Sequence, residues 1–374
     1  MPSPVPVERF LSRECSPSVE PRAYSSSPLV LFRKGGPLSV STSAGRERRL
    51  PPRLAWCSIN WSEVCLLEPL GAGGFGHVYR ATYNGETVAV KKVKRCARNR
   101  LASRRSFWAE LNVAQLPRHD NLVRVLAAGP CGPEDPDNLG AVIMEYAGSC
   151  TLHHAIYSNQ TPESAYDAEG QLWEIGTGAA ICLRYARDVA RGLSFLHSHS
   201  IVHLDLKPAN VLLARQGIYT CCKIGDFGCS LRLQHREARA HPATACQIGG
   251  TYTHRAPELL RGLPATRKSD IYSFAVTLWQ MVSRETPFTG GERQYVLYAV
   301  VAYHLRPSLT GPSFSCPGAR GAPFKGIIER CWAAKPEERP GAKQLLEELN
   351  GIHDPGPFGQ PFRLTDSADS DPPG

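Results

Sequence analysis

The sequence lacks three features that would place the chain in a membrane, outside the cell or around zinc. It has no run of eighteen or more apolar residues and no apolar block near its amino terminus, so we expect neither a membrane span nor export. None of its thirteen cysteines takes part in a C-x-x-C spacing of the kind that binds zinc. The odd number of cysteines is typical of reduced thiols, and the sequence therefore predicts a cytoplasmic protein.

The formal net charge is +9, but the basic residues are unevenly distributed. Eight of them lie between Lys91 and Arg105, a stretch that contains no acidic residue. This distribution argues against nucleic acid or an acidic membrane as the partner. Two interpretations of the basic stretch stay open, namely a solvated face and a docking patch for an acidic partner that includes Arg104 and Arg105.

The composition changes along the 374 residues and divides the chain into three parts. Residues 1–59 are rich in Ser, Pro and Arg and poor in apolar periodicity, which predicts disorder. Residues 60–350 form the patterned part, interrupted at about 157–178 by an acidic stretch that we interpret as a surface insertion. Residues 351–374 contain many Pro, Gly and Asp residues and predict a flexible tail.

Two motifs close together in the sequence contain residues suited to phosphoryl transfer. The motif HLDLKPAN begins at His203, and DFG begins at Asp226. Moving a phosphoryl group requires positioning and charge neutralisation more than covalent work by the protein. Asp205 is placed to accept the proton of a substrate hydroxyl, and Lys207 is placed to balance charge on the phosphate. Asn210 and Asp226 offer the oxygen ligands that Mg²⁺ prefers.

A glycine-rich run, GAGGFGHV, begins at Gly71. Alone it is a weak signal, because G-x-G-x-x-G also occurs in dinucleotide-binding βαβ units, where a helix follows the glycines directly. Here a strand from Val78 to Tyr83, an Asn84-Gly85 turn and a returning strand follow instead. The run therefore predicts a hairpin flap whose backbone amides approach phosphates, and it argues against a nucleotide-dependent dehydrogenase.

The returning strand is predicted to end at Lys91, in the position to reach the α and β phosphates of a nucleotide. A buried lysine needs an acidic partner. Residues 106–116 have the periodicity of an amphipathic helix, and Glu110 on this helix is the candidate partner. The alternative interpretation of Glu110 is an exposed helix acid.

Together these motifs resemble those of eukaryotic protein kinases, from about Trp61 to Leu349 and in the order of that family. The resemblance implies an α+β, two-lobed protein kinase fold. A small lobe of antiparallel sheet with one main helix is expected at about 60–147, and a larger, mostly helical lobe at about 148–350. ATP and Mg²⁺ are the cofactors that it implies.

The resemblance also assigns roles to individual positions. It implies a hinge that meets the adenine at Met144, and a structural ion pair between Glu258 and Arg339. Lys91, Glu110, Asp205 and Lys207 become the catalytic residues, and Asn210 and Asp226 the metal ligands. The implied ATP contacts are Leu70, Gly71, Ala72, Gly73, Gly74, Phe75, Gly76, Val78, Ala89, Lys91, Met144, Glu145 and Tyr146.

The substrate class follows from two positions within the same resemblance. Lys207, two residues after Asp205, and Thr251, before Ala-Pro-Glu, are the pattern of serine/threonine kinases. Residues 101–114 and 249–258 resemble one group within the family more closely. That group implies phosphorylation of a MAP kinase kinase in the cytoplasm, during oocyte meiotic maturation and metaphase II arrest. We expect a monomer, although the sequence leaves the oligomeric state open.

A pseudokinase scaffold is the alternative to an enzyme, but such chains usually lack a position that Lys91, Asp205, Asn210 and Asp226 occupy here. Leu204 stands where many kinases have an arginine that binds a phosphate on the activation segment. We therefore hypothesise that activity does not require phosphorylation of that segment.

Overall fold

The computed structural model describes residues 59–73, 76–94, 100–131, 135, 137–158, 178–216, 219–233, 251–316 and 318–352. Several segments with sequence-based predictions lie outside these residues. They are the amino-terminal region up to residue 58, Gly74 and Phe75, residues 95–99 of the basic stretch, residues 159–177 of the acidic stretch, residues 234–250, and the tail from residue 353.

The first part of the described chain forms a five-stranded antiparallel sheet in the order β1-β2-β3-β5-β4. Val90, Ile143 and Ala81 are buried within it, since β-branched and small side chains pack well on a pleated surface. The strands are β1 Val64–Gly73, β2 Gly76–Tyr83, β3 Glu86–Lys94, β4 Val125–Gly129 and β5 Asn138–Glu145.

The hairpin between β2 and β3 is confirmed, with a difference at its end. Asn84 and Gly85 connect the strands with φ values of 51° and 81°, which Asn and Gly adopt more readily than other residues. Strand β3 continues past the predicted end at Lys91 to Lys94. The prediction was wrong here because β3 keeps pairing with both neighbours, and Val93 between two lysines is fully buried.

Helix α1, Arg100–Ala114, packs against the sheet. Leu111 is buried in a cluster with Val125 and Val142, and Phe107 and Ala114 pack against the same cluster. The predicted helix is therefore present, although it begins six residues earlier than Ser106 and ends two residues before Leu116.

The second part of the chain is mostly helical and contains the larger core. The apolar periodicity of residues 181–197 predicts a helix whose inner stripe is Ile181, Tyr185, Val189, Leu193 and Leu196. Helix α3 buries this stripe except at Ile181, which is half-buried. Helix α5 is buried over nearly its whole length, because other elements surround it. The helices are α2 Leu152–Tyr157, α3 Ala179–Ser198, α4 Pro257–Leu260, α5 Arg267–Ser283, α6 Arg293–Ala302, α7 Pro312–Ser315, α8 Lys325–Cys331 and α9 Ala342–Asn350.

Four short strands of this helical part flank the two motifs. Strand β6, Ile201–Val202, pairs with β9, Leu231–Arg232, and β7, Val211–Gln216, pairs with β8, Tyr219–Ile224. The motif HLDLKPAN lies between β6 and β7, and DFG lies between β8 and β9. The predicted α+β class with a sheet lobe and a helical lobe is confirmed. Within the described ranges, no helix is both long and apolar enough to cross a bilayer.

Candidate active site

A cavity of about 590 Å³ lies between the sheet and the segments that carry the two motifs. Predicted nucleotide contacts from the sheet and the predicted hinge line one side of it, and the motif residues line the other. The predicted residues that line it are Leu70, Gly71, Ala72, Gly76, Val78, Ala89, Lys91, Met144, Glu145, Tyr146, Asp205, Lys207, Asn210 and Asp226.

The glycines of the flap differ in what requires them. A Cβ on Gly71 would meet nothing within 4 Å, so this backbone borders open space in the cavity. A Cβ on Gly76 would lie 2.0 Å from the carbonyl oxygen of Lys92, so the close approach of strand β3 requires glycine there. Gly73 pairs with Gly76 across the hairpin, next to the two positions outside the described residues. The glycine-rich run therefore serves the packing of the hairpin as well as the cavity.

Lys91 connects the two sides of the cavity. Its Nζ lies 2.6 Å from Glu110 Oε1 on α1 and 2.5 Å from Asp226 Oδ1 in the DFG motif. Lys91 and Glu110 are buried, whereas the side chain of Asp226 is 39% exposed toward the cavity that it lines. Glu110 is therefore the partner of Lys91, and the interpretation of an exposed helix acid is wrong.

The charges in this cluster shift one another's protonation. Burial by itself lowers the pKa of Lys91, but the carboxylates of Glu110 and Asp226 outweigh it and raise that pKa well above its ordinary value. Burial raises the pKa of Asp226, but Lys91, together with smaller contributions from His203 and Lys207, outweighs burial and lowers that pKa. Lys91 is therefore held as a cation and Asp226 as an anion, which is the state needed to face phosphate and metal.

Asp205 sits in a network that fixes its carboxylate. Lys207 Nζ lies 2.9 Å from Asp205 Oδ2 and donates a 2.7 Å hydrogen bond to Thr251 Oγ1. The backbone N–H of Thr251 donates to Asp205 Oδ1 at 3.0 Å. Asn210 Nδ2 donates to Asp205 Oδ2 at 3.0 Å. The structure thus brings together Asp205, Lys207 and Thr251, which are up to 46 positions apart in sequence.

Asp270, at the start of α5, stabilises the loop that contains Asp205 by accepting hydrogen bonds from its backbone. The two carboxylate oxygens of Asp270 accept hydrogen bonds from the backbone N–H groups of His203 and Leu204, both at 2.8 Å. His197 Nε2 lies 2.8 Å from the same carboxylate. Burial raises the pKa of Asp270, but His197, the charge of His203 and the N–H of Leu204 together outweigh burial and lower the pKa. Leu204 takes a φ of 65°, so the contacts of Asp270 stabilise a strained backbone.

Sequence reasoning did not find the role of Asp270. The available signal was an acidic residue in the first turn of an otherwise apolar helix, which most often only caps the helix. Leu212 lines the cavity two residues after Asn210 and was also not predicted.

The residues predicted to hold a metal fit a hard cation. Both hydrogen bonds from the Asn210 side chain to Asp205 are donated by its amide nitrogen, which turns its carbonyl oxygen away from Asp205. Asp226 adds a charged oxygen at the cavity. The backbone N–H of Gly225, next to the DFG motif, donates a 2.9 Å hydrogen bond to the backbone carbonyl of Asn210 and so joins the two motifs. Among the residues with described positions, no cluster of three or more His, Cys, Asp or Glu could bind a metal by itself. Two protein oxygens are few for an all-protein cage but suit a cation that is also bound by phosphates and water.

Two side chains near the cavity, Cys229 and Glu145, are engaged by the protein itself. Cys229 is buried, and burial raises the pKa of its thiol to about 12, which makes it a packing residue. Glu145 at the predicted hinge accepts hydrogen bonds from Arg124 N–H at 2.9 Å and Lys223 Nζ at 3.0 Å. Its carboxylate is therefore occupied by protein groups.

Comparison with known proteins agrees with this geometry. The family described as "Protein kinase domain" matches residues 65–349. A serine/threonine-protein kinase mos of Xenopus laevis is 58% identical over 353 residues, which cover 93% of this chain and 92% of the relative. The corresponding kinase of Gallus gallus is 54% identical, covering 94% and 99%. The proto-oncogene serine/threonine-protein kinase mos of Mus musculus is 53% identical, covering 94% and 98%.

Proposed function

Since this chain belongs to the protein kinase family and is a serine/threonine kinase, we propose that it transfers the γ-phosphoryl group of ATP to a MAP kinase kinase. One observation carries the catalytic part of this proposal. Lys91 Nζ lies within 2.6 Å of both Glu110 and Asp226, so the sheet, helix α1 and the DFG motif already have the arrangement that the chemistry needs. The family uses ATP and a divalent metal, and Mg²⁺ is the cation proposed here.

Each side chain of the site has a separate task. Bound ATP supplies the phosphoryl group, and a bound Mg²⁺ neutralises its charge. Lys91 binds phosphate oxygens, and Glu110 holds the ammonium of Lys91 in place. Asp226 and Asn210 offer oxygen ligands to the cation.

The acceptor hydroxyl is handled on the other side of the cavity. Asp205 orients the substrate hydroxyl and accepts its proton, because its carboxylate is fixed by Thr251 N–H and Asn210 Nδ2. Lys207 binds both Asp205 and Thr251, so its ammonium is in place to balance charge on the phosphate as it moves.

The choice of substrate rests on resemblance to the mos kinases. The same resemblance supports a kinase that acts upstream in the MAP kinase cascade, in the cytoplasm, during oocyte meiotic maturation and metaphase II arrest. The proposed domain boundaries are a kinase domain at 60–350, with the Ser/Pro/Arg-rich region before it and the tail after it. We also propose that the acidic stretch at about 157–178 is an insertion in the sequence of the large lobe.

Control of the enzyme is proposed to be independent of phosphate on the activation segment. Leu204 is buried in the core of the large lobe, where it offers no positive charge to a phosphate. Thr251, at the end of the segment, is bound by Asp205 and Lys207 without phosphate. Ordering of the acceptor side of the site is supported by these contacts.

The test is phosphate transfer to a catalytically inactive MAP kinase kinase, measured for wild type, Lys91→Arg and Asp226→Asn. We expect transfer by wild type, with loss of at least about 100-fold in either variant. Lys91→Arg changes the shape and position of the cation that binds the phosphates, and Asp226→Asn removes a charged oxygen ligand of the metal. Circular dichroism checks that the variants are folded. Equal background signal in all three proteins would contradict the proposal.

A further inference from the structure

Helix α6, Arg293–Ala302, is apolar from Tyr295 onward but buried on one face alone. Val296, Ala299 and Val300 are buried against the large lobe. Tyr295 and Tyr298, on another face, are 59% and 54% exposed. A helix that is hydrophobic all round is ordinarily covered on all sides. The packing of the described residues therefore gives no reason for the outer face of α6 to be aromatic.

A third tyrosine extends this face beyond the helix. Tyr303 is 68% exposed, and its ring lies edge-on to that of Tyr298, with centroids 5.5 Å apart. We call Tyr295, Tyr298 and Tyr303 the tyrosine patch. At about 200 Å² per tyrosine, the exposed fractions leave roughly 350 Å² of aromatic surface in solvent. Apolar patches of this size are often binding surfaces.

Exposed arginines stand at both ends of the tyrosine patch. Arg293 begins α6, and the guanidinium of Arg261 donates a 3.1 Å hydrogen bond to the Val301 carbonyl near the end of the helix. The nearest acid in sequence, Glu292, precedes the helix. Tyrosine and arginine are enriched in protein interfaces. The matching surface is an apolar face bordered by carboxylates, and the net charge of +9 favours approach of such a partner.

A contact connects the tyrosine patch to the acceptor side of the active site. The Arg293 guanidinium lies 5.3 Å from the ring centroid of Tyr252. Tyr252 follows Thr251, whose N–H binds Asp205. Helix α6 is about 15 Å long, and its first residue contacts Tyr252, so a protein domain bound along α6 lies beside this end of the cleft.

We propose that the tyrosine patch is the docking surface for the folded protein substrate. An apolar face of the substrate, bordered by Asp or Glu, packs on the three rings, while a separate serine- or threonine-containing segment enters the cleft at Asp205. This inference rests on the proposed kinase activity toward a MAP kinase kinase. The two sites share one substrate, so loss of the patch weakens binding without changing the chemical step.

The test separates docking from chemistry by using two substrates. A catalytically inactive MAP kinase kinase is compared with a short peptide that contains its phosphorylated segment. For the Tyr295→Ala/Tyr298→Ala variant, we expect KM for the intact protein to rise at least about tenfold with kcat unchanged, which corresponds to about 1.4 kcal/mol of binding. KM for the peptide stays within about twofold, because the peptide does not reach α6. The matched Tyr295→Phe/Tyr298→Phe variant keeps the rings and behaves as wild type.

A second variant tests the charged border independently of the tyrosines. Arg261→Glu lowers kcat/KM for the intact protein about tenfold at low salt and less at high salt, since salt screens exposed charges. Lys343→Glu, an equal charge change at an exposed position of α9, leaves kcat/KM unchanged.

Three outcomes overturn the inference. An unchanged KM for the intact protein in the double alanine variant does so while leaving the activity of wild type, and hence the proposed function, in place. A change in molar mass by light scattering between wild type and this variant does so as well, because a second copy of the chain is then the occupant. Wild-type enzyme that phosphorylates the peptide but not the intact protein overturns the proposed substrate and the docking inference together.

Discussion

Each lobe contains a buried ion pair, Lys91–Glu110 in the small lobe and Arg339–Glu258 in the large lobe. The two pairs have different surroundings. In the small lobe, Lys91 lies between Glu110 and Asp226, and the side chain of Asp226 is 39% exposed. In the large lobe, Arg339 donates two 2.8 Å hydrogen bonds to Glu258, and its side chain is 0% exposed. The first pair opens onto a cavity, and the second is enclosed.

The hydrogen bonds of Arg339 and Glu258 indicate that the enclosed pair has a structural role. Arg339 also donates to the carbonyls of Ala333 and Lys268 at 2.9 Å, and Glu258 accepts from Ser269 Oγ at 2.9 Å. These groups are satisfied within the protein, so the pair stabilises the fold and offers nothing to a ligand. Lys91 and Asp226 instead keep part of their charge facing the cavity, which suits them to phosphate and metal.

The largest expected effect comes from breaking the enclosed pair. Arg339→Ala leaves Glu258 buried without its partner, and we expect a loss of about 3–5 kcal/mol in the free energy of unfolding. Urea unfolding measures this loss. Arg339→Lys keeps the charge but not the two-point geometry, so its loss should be smaller. A loss below about 1 kcal/mol in Arg339→Ala would contradict a structural role for the pair.

Breaking the open pair should change activity more than stability. Glu110→Gln leaves Lys91 paired with Asp226, so no charge loses its last partner, but the ammonium is no longer held for phosphate. We expect kcat to fall about 100-fold. Glu258→Gln is the matched change in the large lobe, and its folded fraction should keep a kcat near that of wild type. If the two variants have the same pattern of kcat and unfolding free energy, the contrast between the pairs is wrong.

A smaller effect is expected from protonation of the buried His254 in the large lobe, which changes the free energy of unfolding with pH. His254 is buried, with Nε2 2.6 Å from Gln280 Oε1, and burial lowers its pKa from 6.5 to about 4. Between these values the unfolded chain binds a proton that the folded protein does not, so stability falls as the pH decreases from 6.5 toward 4. At pH 5 this amounts to about 2 kcal/mol. Urea unfolding at pH 7 and pH 5 should show a smaller pH effect in His254→Gln, and an equal effect would contradict this assignment.

The smallest expected effect is that of removing hydroxyls from the activation segment. Ser230 is buried and donates to the Ala109 carbonyl at 3.4 Å, and Thr253 Oγ1 lies 3.0 Å from His254 Nδ1. Thr244 lies outside the described residues. We expect Ser230→Ala/Thr244→Ala/Thr253→Ala to keep kcat/KM within about threefold, because Leu204 cannot bind a phosphate. A tenfold loss with the fold intact, by circular dichroism, would show that phosphate on the segment is needed.

The parts that sequence patterns predicted well are those with a local physical cause. The Asn84-Gly85 turn follows from backbone conformations that few other residue pairs adopt. The inner stripe of α3 follows from helical periodicity. The predicted end of β3 was wrong, because pairing with strands β2 and β5 extends the strand beyond what the β-propensity of its last residues indicates.

The sequence by itself determined the chemical groups of the site, because carboxylates, amides and ammonium groups in the order of a kinase point to phosphoryl transfer. Only the tertiary structure decided how they meet. It placed Lys91 between Glu110 and Asp226. It also brought the backbone N–H of Leu204 within hydrogen-bonding distance of Asp270 and left the tyrosine patch exposed to solvent. The physical reason is that burial and partner choice depend on contacts between residues far apart in sequence, whereas motif spacing and periodicity report on neighbours along the chain.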